Sequence, residues 1–120
     1  MEETLEQFMS HCTGSENFYR FPLIPNCVYT DGVNAFVEKA KAWWFVSDSL
    51  LEIVRLCKKH PEVLDFCSVK LTVKDEKALV EFTDGDNNLF KTKKYTYTDC
   101  PPCELVFYFI GGTFMYCGEY

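Results

Sequence analysis

The chain has 120 residues, of which 48% are hydrophobic and 17% aromatic; this is enough to pack one domain and excludes a wholly disordered chain. Its formal net charge of −6 argues against a general attraction to nucleic acid or to an anionic membrane. The first residues form no signal-peptide pattern, and the longest apolar run, Leu105 to Ile110, is too short to span a bilayer. We therefore expect a cytoplasmic protein that needs no membrane and binds no nucleic acid directly.

Apolar residues follow a helical period in the first half of the chain, residues 1–65. A short helix is expected from Thr4 to His11, followed by a loop through residue 26 that carries a glycine and two prolines. Thr30 or Asp31 should cap a second helix, because a side-chain oxygen there accepts an orphan backbone N–H. A longer helix is expected from about Ala42 to His60. Its buried face should comprise Trp43, Trp44, Val46, Leu50, Leu51, Val54 and Cys57.

From Phe66 onward the apolar period changes to two, which predicts β-strands in the second half, residues 66–120. The segment from Asp84 to Asn88 is a strong hairpin signal, because glycine and asparagine tolerate positive φ. Glu104 to Ile110 is apolar on both faces and predicts a central strand. The expected fold is one α+β domain over residues 1–120, with two to three helices packed on one face of an antiparallel meander of about five strands.

Seven cysteines are present, and without a secretory signal they are expected to be reduced core residues. The pair Cys100 and Cys103 flanks two prolines and has three interpretations: a structural turn, half of a metal site, or a redox pair. The turn is favoured, because a strand precedes the pair, another follows it, and no second ligand pair has a zinc-finger spacing.

No catalytic or cofactor-binding arrangement is evident in the sequence. His11 and Cys12 are neighbours at a helix end and do not face each other. The hairpin signal at Asp84 lacks the ligand spacing of a calcium loop, and there is no glycine-rich phosphate loop. We therefore expect no enzyme activity, no metal and no cofactor.

The candidate interaction residues lie in an aromatic loop and on a lysine-rich strand. They are Glu16, Tyr19, Arg20, Tyr29, Asp31, Lys91, Lys93, Tyr95 and Tyr97. The strand set could stack nucleotides on an outer sheet face. Its alternative is a solvated mixed-charge face, or an edge strand that its lysines protect from pairing.

Several phrases resemble one family of short proteins of unassigned function. They are HCTGSENFYR from His11, VYTDGV from Val28, AWW from Ala42, YTD from Tyr97, and GEY from Gly118. The family is found in Bacteroidota-like genomes and in their phages and mobile elements. Cys12 and Cys100 stand where the family tends to have aromatic residues, so the cysteine pair is not a family feature.

The resemblance implies no established activity, but small acidic proteins from mobile elements are often inhibitors of host defence. The sharpest expectation is an anti-CRISPR-type inhibitor that docks on a Cas effector nuclease and blocks its RNA or target. It would place acidic and aromatic residues against a basic groove. The alternatives are a binder of a small nucleotide signal in which Arg20 grips phosphate, a small enzyme, and a mobile-element protein without a defence role.

Overall fold

The structure, a computed structural model, describes residues 4–12, 17–21, 27–86 and 88–119. Its α-helices are α1 (Leu5–Met9), α2 (Asp31–Ala40) and α3 (Trp43–Leu56). Its strands are β1 (Phe18–Arg20), β2 (Val28–Thr30), β3 (Cys67–Lys74), β4 (Lys77–Thr83), β5 (Leu89–Tyr95), β6 (Cys103–Ile110) and β7 (Thr113–Tyr116). Two 3₁₀ turns cover Pro61–Leu64 and Cys117–Glu119.

The described strands form one sheet in the order β1-β2-β7-β6-β3-β4-β5. Neighbours are antiparallel except β2 and β7, which are parallel. The α+β class is confirmed, but the expectation of about five strands is wrong because the sheet has seven. The two additional strands, β1 and β2, have three residues each, too few to show a period of two, and they lie in the half expected to be helical.

The expected meander order is also wrong. Strand β6 pairs with β3 from Cys67 to Val73 and not with β5. The chain therefore crosses from the β5 edge back to the middle of the sheet, and β5 is left with β4 as its single partner. This arrangement places the apolar β6 at the centre, where both of its faces are shielded in part, as its composition predicts.

The core lies between the sheet and the helices α2 and α3. Burial alternates along β3, where Val69 and Leu71 are buried while the intervening side chains are partly exposed. On the buried side of the sheet, Phe107 of β6 contacts both Phe36 of α2 and Phe45 of α3, at centroid distances of 5.2 and 5.0 Å. These aromatic contacts fix both helices on the same face of the central strand.

Helix α2 begins as expected, with Thr30 as its N-cap. Helix α3 is shorter than expected. The prediction of its buried face is partly wrong, because Trp43, Leu51 and Val54 are 43%, 37% and 39% exposed. The buried side is centred between Phe45 and Ile53 instead. At about 3.6 residues per turn the three exposed residues fall on the opposite side of the helix, which carries enough apolar side chains to make its sequence pattern ambiguous.

Candidate interaction surface

Three tyrosine hydroxyls donate hydrogen bonds to aspartate carboxylates. The pairs are Tyr19 with Asp31 (3.0 Å), Tyr95 with Asp48 (2.7 Å) and Tyr97 with Asp99 (2.6 Å). The hydrogen bond to the carboxylate raises the pKa of Tyr19 and of Tyr97, and burial followed by the bond to Asp48 raises that of Tyr95. Each phenol therefore keeps its proton at neutral pH, and each pair presents an aromatic ring beside a negative charge.

The first two residues of α3 connect these pairs into two aromatic groups. On one side Tyr29 stacks on Tyr19 and meets the edge of Trp43, each with a centroid distance of 5.4 Å. On the other side Trp44 packs on Tyr95 at 4.7 Å. The six rings are named the aromatic belt: Tyr19, Tyr29, Trp43, Trp44, Tyr95 and Tyr97. Trp43 and Trp44 are consecutive, so each group has one of its rings at the first turn of α3.

A cleft of about 350 Å³ opens at the second group. Its lining residues are Lys41, Trp44, Tyr95, Tyr97, Thr98 and Asp99. The backbone of Lys41 is left-handed, with φ 54° and ψ 44°, and its N–H bonds the carbonyl of Val37 at the end of α2. A lysine rarely adopts this conformation, because its Cβ crowds the carbonyl oxygen.

A second polar cluster lies at the other end of α2 and is named the Glu119 network: Thr30, Gly32, Tyr116 and Glu119. The carboxylate of Glu119 accepts from the hydroxyl of Thr30 (2.6 Å) and from the backbone N–H groups of Gly32 (3.0 Å) and Tyr116 (2.8 Å). The Thr30 oxygen in turn accepts from the N–H of Val33 at 3.4 Å. The carboxylate and the hydroxyl thus satisfy orphan donors of the first helical turn.

Gly32 is required by this arrangement, because a Cβ at that position would overlap the Glu119 carboxylate. Glu119 of the phrase GEY therefore lies against Thr30 and Gly32 of the phrase VYTDGV, although Gly32 and Glu119 are 87 positions apart in the chain. Their shared task is to hold the start of α2, which is the capping role that the sequence favours for Thr30.

An outer sheet face was one of the placements considered for the candidate residues of the lysine-rich strand β5. The structure does not place Lys93 there. Lys93 pairs in register with the buried Val80, on the helix side of the sheet. Its ammonium lies 3.5 Å from the carboxylate of Glu52, a residue of α3 that is only 6% exposed. Lys93 therefore anchors β5 to α3, as Tyr95 does through Asp48.

The remaining candidate residues do not form one cluster with the cleft. Tyr29 is buried at 7% exposure, so it supports its neighbours rather than offering a contact. Arg20 is exposed on β1, at the sheet edge opposite β5, so it lies far from the cleft in sheet order. Lys91 is exposed on the edge strand β5, in line with the protective role weighed for its lysines. Glu16 lies outside the described residues.

Sequence reasoning missed five polar or aromatic contributors: Lys41, Trp43, Trp44, Asp48 and Asp99. Asp99 carried a signal, since it follows Tyr97 by two residues in the phrase YTD. Trp44 was assigned to the core, but it is only half-buried. The place of Lys41 in the cleft lining depends on its left-handed backbone conformation, which the residue pattern does not predict.

The cysteine pair flanks two exposed prolines at the entry to β6, and Cys103 is the first residue of that strand. Cys100 and Cys103 are 4% and 7% exposed, and the Cys100 thiol donates to the carbonyl of Pro101. Hydrogen bonding between the thiols lowers the pKa of Cys100 and raises that of Cys103, where burial adds to the effect. A strand and not a helix follows the pair, so the helix N-terminus that activates redox pairs of this spacing is not provided.

Two further findings concern the described ranges alone. Within residues 4–12, 17–21, 27–86 and 88–119, no group of three or more histidine, cysteine, aspartate or glutamate side chains is arranged to hold a metal ion. In the same part of the chain, no helix has the length and apolarity needed to cross a membrane.

Comparison with known proteins gives one match. The model of a family of unknown function, DUF6876, matches residues 3–120. No curated protein matches the chain significantly. No solved structure does so either.

Proposed function

We propose that this chain, which belongs to the DUF6876 family of unknown function, is a non-catalytic binding protein that recognises a basic protein surface. The observation that carries the proposal is the presence of three tyrosine–aspartate pairs among the residues of the aromatic belt. Tyrosine and tryptophan are the residues that dominate protein–protein binding energy. Carboxylates beside them favour a cationic partner, and the net charge of −6 steers such a partner toward the chain.

The structure also suggests which belt residues would make the contact. Tyr97 is 64% exposed and Trp43 is 43% exposed, and these are large apolar side chains that bring no benefit to a free monomer. Both are held in place from behind, Tyr97 by Asp99 and Trp43 by Tyr29. Pre-positioned rings lose little conformational entropy on binding, which raises affinity.

The finer form of the proposal is an anti-CRISPR-type inhibitor. A Cas effector nuclease presents a positively charged channel for its guide and target, and an acidic aromatic surface is complementary to such a channel. In this form the chain occupies the channel and blocks access of RNA or target without any chemical step. A small-enzyme function has no support in the described residues, since the belt offers no nucleophile next to a base.

The experiment is a comparative pull-down followed by a binding titration. The wild-type protein and the variants Trp43→Ala and Tyr97→Ala are immobilised, exposed to a Bacteroidota host lysate or to purified Cas effectors, and the captured proteins are identified by mass spectrometry. A true partner should be basic, should bind about tenfold or more weakly to each variant, and should dissociate as salt is raised.

The matched controls are Leu64→Ala and Leu89→Ala, which remove exposed apolar side chains of 50% and 55% exposure outside the belt. They should bind the partner as the wild type does. The proposal is overturned if no nuclease or other basic protein is captured, or if the control variants weaken binding as much as the belt variants.

A further inference from the structure

We propose that the cleft beside Trp44 is a site for a purine mononucleotide, a small ligand that combines a planar ring with an anionic group. This goes beyond the proposed protein-binding function and does not depend on it. Its volume of about 350 Å³ falls in the range of small-ligand pockets, roughly 300–1,000 Å³. Three features of the lining support this ligand: its rings, its ammonium group and its carboxylate.

The rings come from separate elements. Trp44 belongs to the first turn of α3, Tyr95 ends β5, and Tyr97 lies in the segment that follows. Trp44 and Tyr95 pack on each other with their planes tilted by 55°, so together they form a wall. Tyr97 is 64% exposed yet its hydroxyl is fixed on Asp99 at 2.6 Å. A ring that is held still and left uncovered is suited to stack on a planar base.

The ammonium group is that of Lys41. Across the described residues it makes no ion pair, whereas Lys70 and Lys93 each have a carboxylate partner. Its left-handed backbone is a strained conformation that glycine or asparagine would adopt at less cost. This conformation ends helix α2 and so fixes the position of Lys41 at the cleft. An unpaired cation at the rim of an aromatic cleft favours a phosphate group in the ligand.

The carboxylate of Asp99 sets the choice of base. Its Oδ1 accepts from the Tyr97 hydroxyl, and carboxylate oxygens retain further acceptor sites. Guanine presents two adjacent N–H donors that match a carboxylate, and adenine presents one amino group. A polynucleotide is disfavoured by the net charge of −6. A guanine mononucleotide is therefore the ligand we expect.

The test is isothermal titration calorimetry of the full chain with GMP at low ionic strength, with AMP, guanosine and ribose 5-phosphate as comparison ligands. GMP should bind more tightly than AMP, and the two fragments should bind at least about tenfold more weakly, since stacking and a charged hydrogen bond each contribute more than a factor of ten in affinity. GMP binding should weaken as salt is raised.

Two variants locate the site. Lys41→Gly removes the ammonium and relieves the left-handed strain, so it should raise the melting temperature while reducing GMP affinity about tenfold or more. Tyr97→Ala should reduce affinity similarly. The control Lys94→Gln removes an exposed lysine that lies opposite Leu79, outside the cleft, and should bind GMP as the wild type does.

The proposal is overturned if neither GMP nor AMP produces a binding heat at millimolar concentration, or if Lys41→Gly and Lys94→Gln have the same effect. Preference for AMP over GMP would overturn the role of Asp99. None of these outcomes bears on the pull-down, because capture of a basic protein requires no nucleotide.

Discussion

The Glu119 network and the cleft lie at opposite ends of helix α2. They differ in whether their polar groups are hydrogen-bonded within the chain. In the network, the carboxylate accepts three hydrogen bonds from the chain itself, and Gly32 is needed to make room for it. In the cleft, the lining residues Lys41 and Tyr97 are exposed, and Lys41 makes no ion pair within the described residues. Polar groups that are hydrogen-bonded within the chain stabilise the fold. Exposed polar groups without such partners are the ones that can bind a ligand.

The largest effect on stability is expected for Glu119→Ala. The substitution removes three hydrogen bonds to a carboxylate and leaves the first turn of α2 with the Thr30 cap alone. Because such bonds are partly redundant, we expect a loss of about 2–3 kcal/mol in the free energy of unfolding, measured by urea denaturation. Glu119→Gln, which keeps an acceptor oxygen and removes the charge, should lose about half as much. A loss of less than about 0.5 kcal/mol for Glu119→Ala, the range of ordinary surface substitutions, would remove the distinction between the two regions.

A smaller effect whose sign depends on the background is expected for Gly32→Ala. In the wild type the new methyl group displaces the Glu119 carboxylate, so stability should fall by about 1–2 kcal/mol. In the Glu119→Ala background nothing is displaced, and alanine should stabilise the helix by up to about 1 kcal/mol relative to glycine. The double-mutant cycle isolates the contact. A loss of the same size in both backgrounds would show that Gly32 is needed for another reason.

Local features of the fold were predictable from sequence, and features that depend on distant pairing were not. The alternation along β3 and a cap at Thr30 or Asp31 follow from neighbouring residues and were predicted, and the structure places the cap at Thr30. The parallel pairing of β2 with β7 and the antiparallel pairing of β6 with β3 each join segments whose patterns suit several partners. For the same reason the capping of Thr30 was predicted, but its bond to Glu119 was not.

For the candidate surface, the sequence pattern selected residues without fixing which face of the sheet they occupy. Tyr95 and Tyr97 were identified because tyrosines near lysines suggest an interaction surface. A one-residue change of register moves a strand side chain to the other face, and nothing in the polar pattern of β5 fixed which face meets α3. Lys93 pairs there with Glu52, a buried residue of α3 that is not among the residues predicted for the buried face of that helix.

The smallest expected effect is that of Tyr95→Phe, and its pH dependence carries the information. The hydroxyl bond to Asp48 (2.7 Å) is lost while the ring remains against Trp44, so unfolding free energy should fall by about 1 kcal/mol at pH 8. Burial and Asp48 raise the pKa of Tyr95 in the folded chain. A raised pKa means that this stabilisation is fully present below the unfolded-state pKa of about 10 and is lost as pH rises through the folded value. The difference between wild type and Tyr95→Phe should therefore shrink in urea titrations above pH 10, where other titrating groups affect both proteins equally. A difference that stays constant with pH would mean that the hydroxyl of Tyr95 is not hydrogen-bonded to Asp48 in the folded chain. The ring of Tyr95 would then not be fixed at the cleft by this bond.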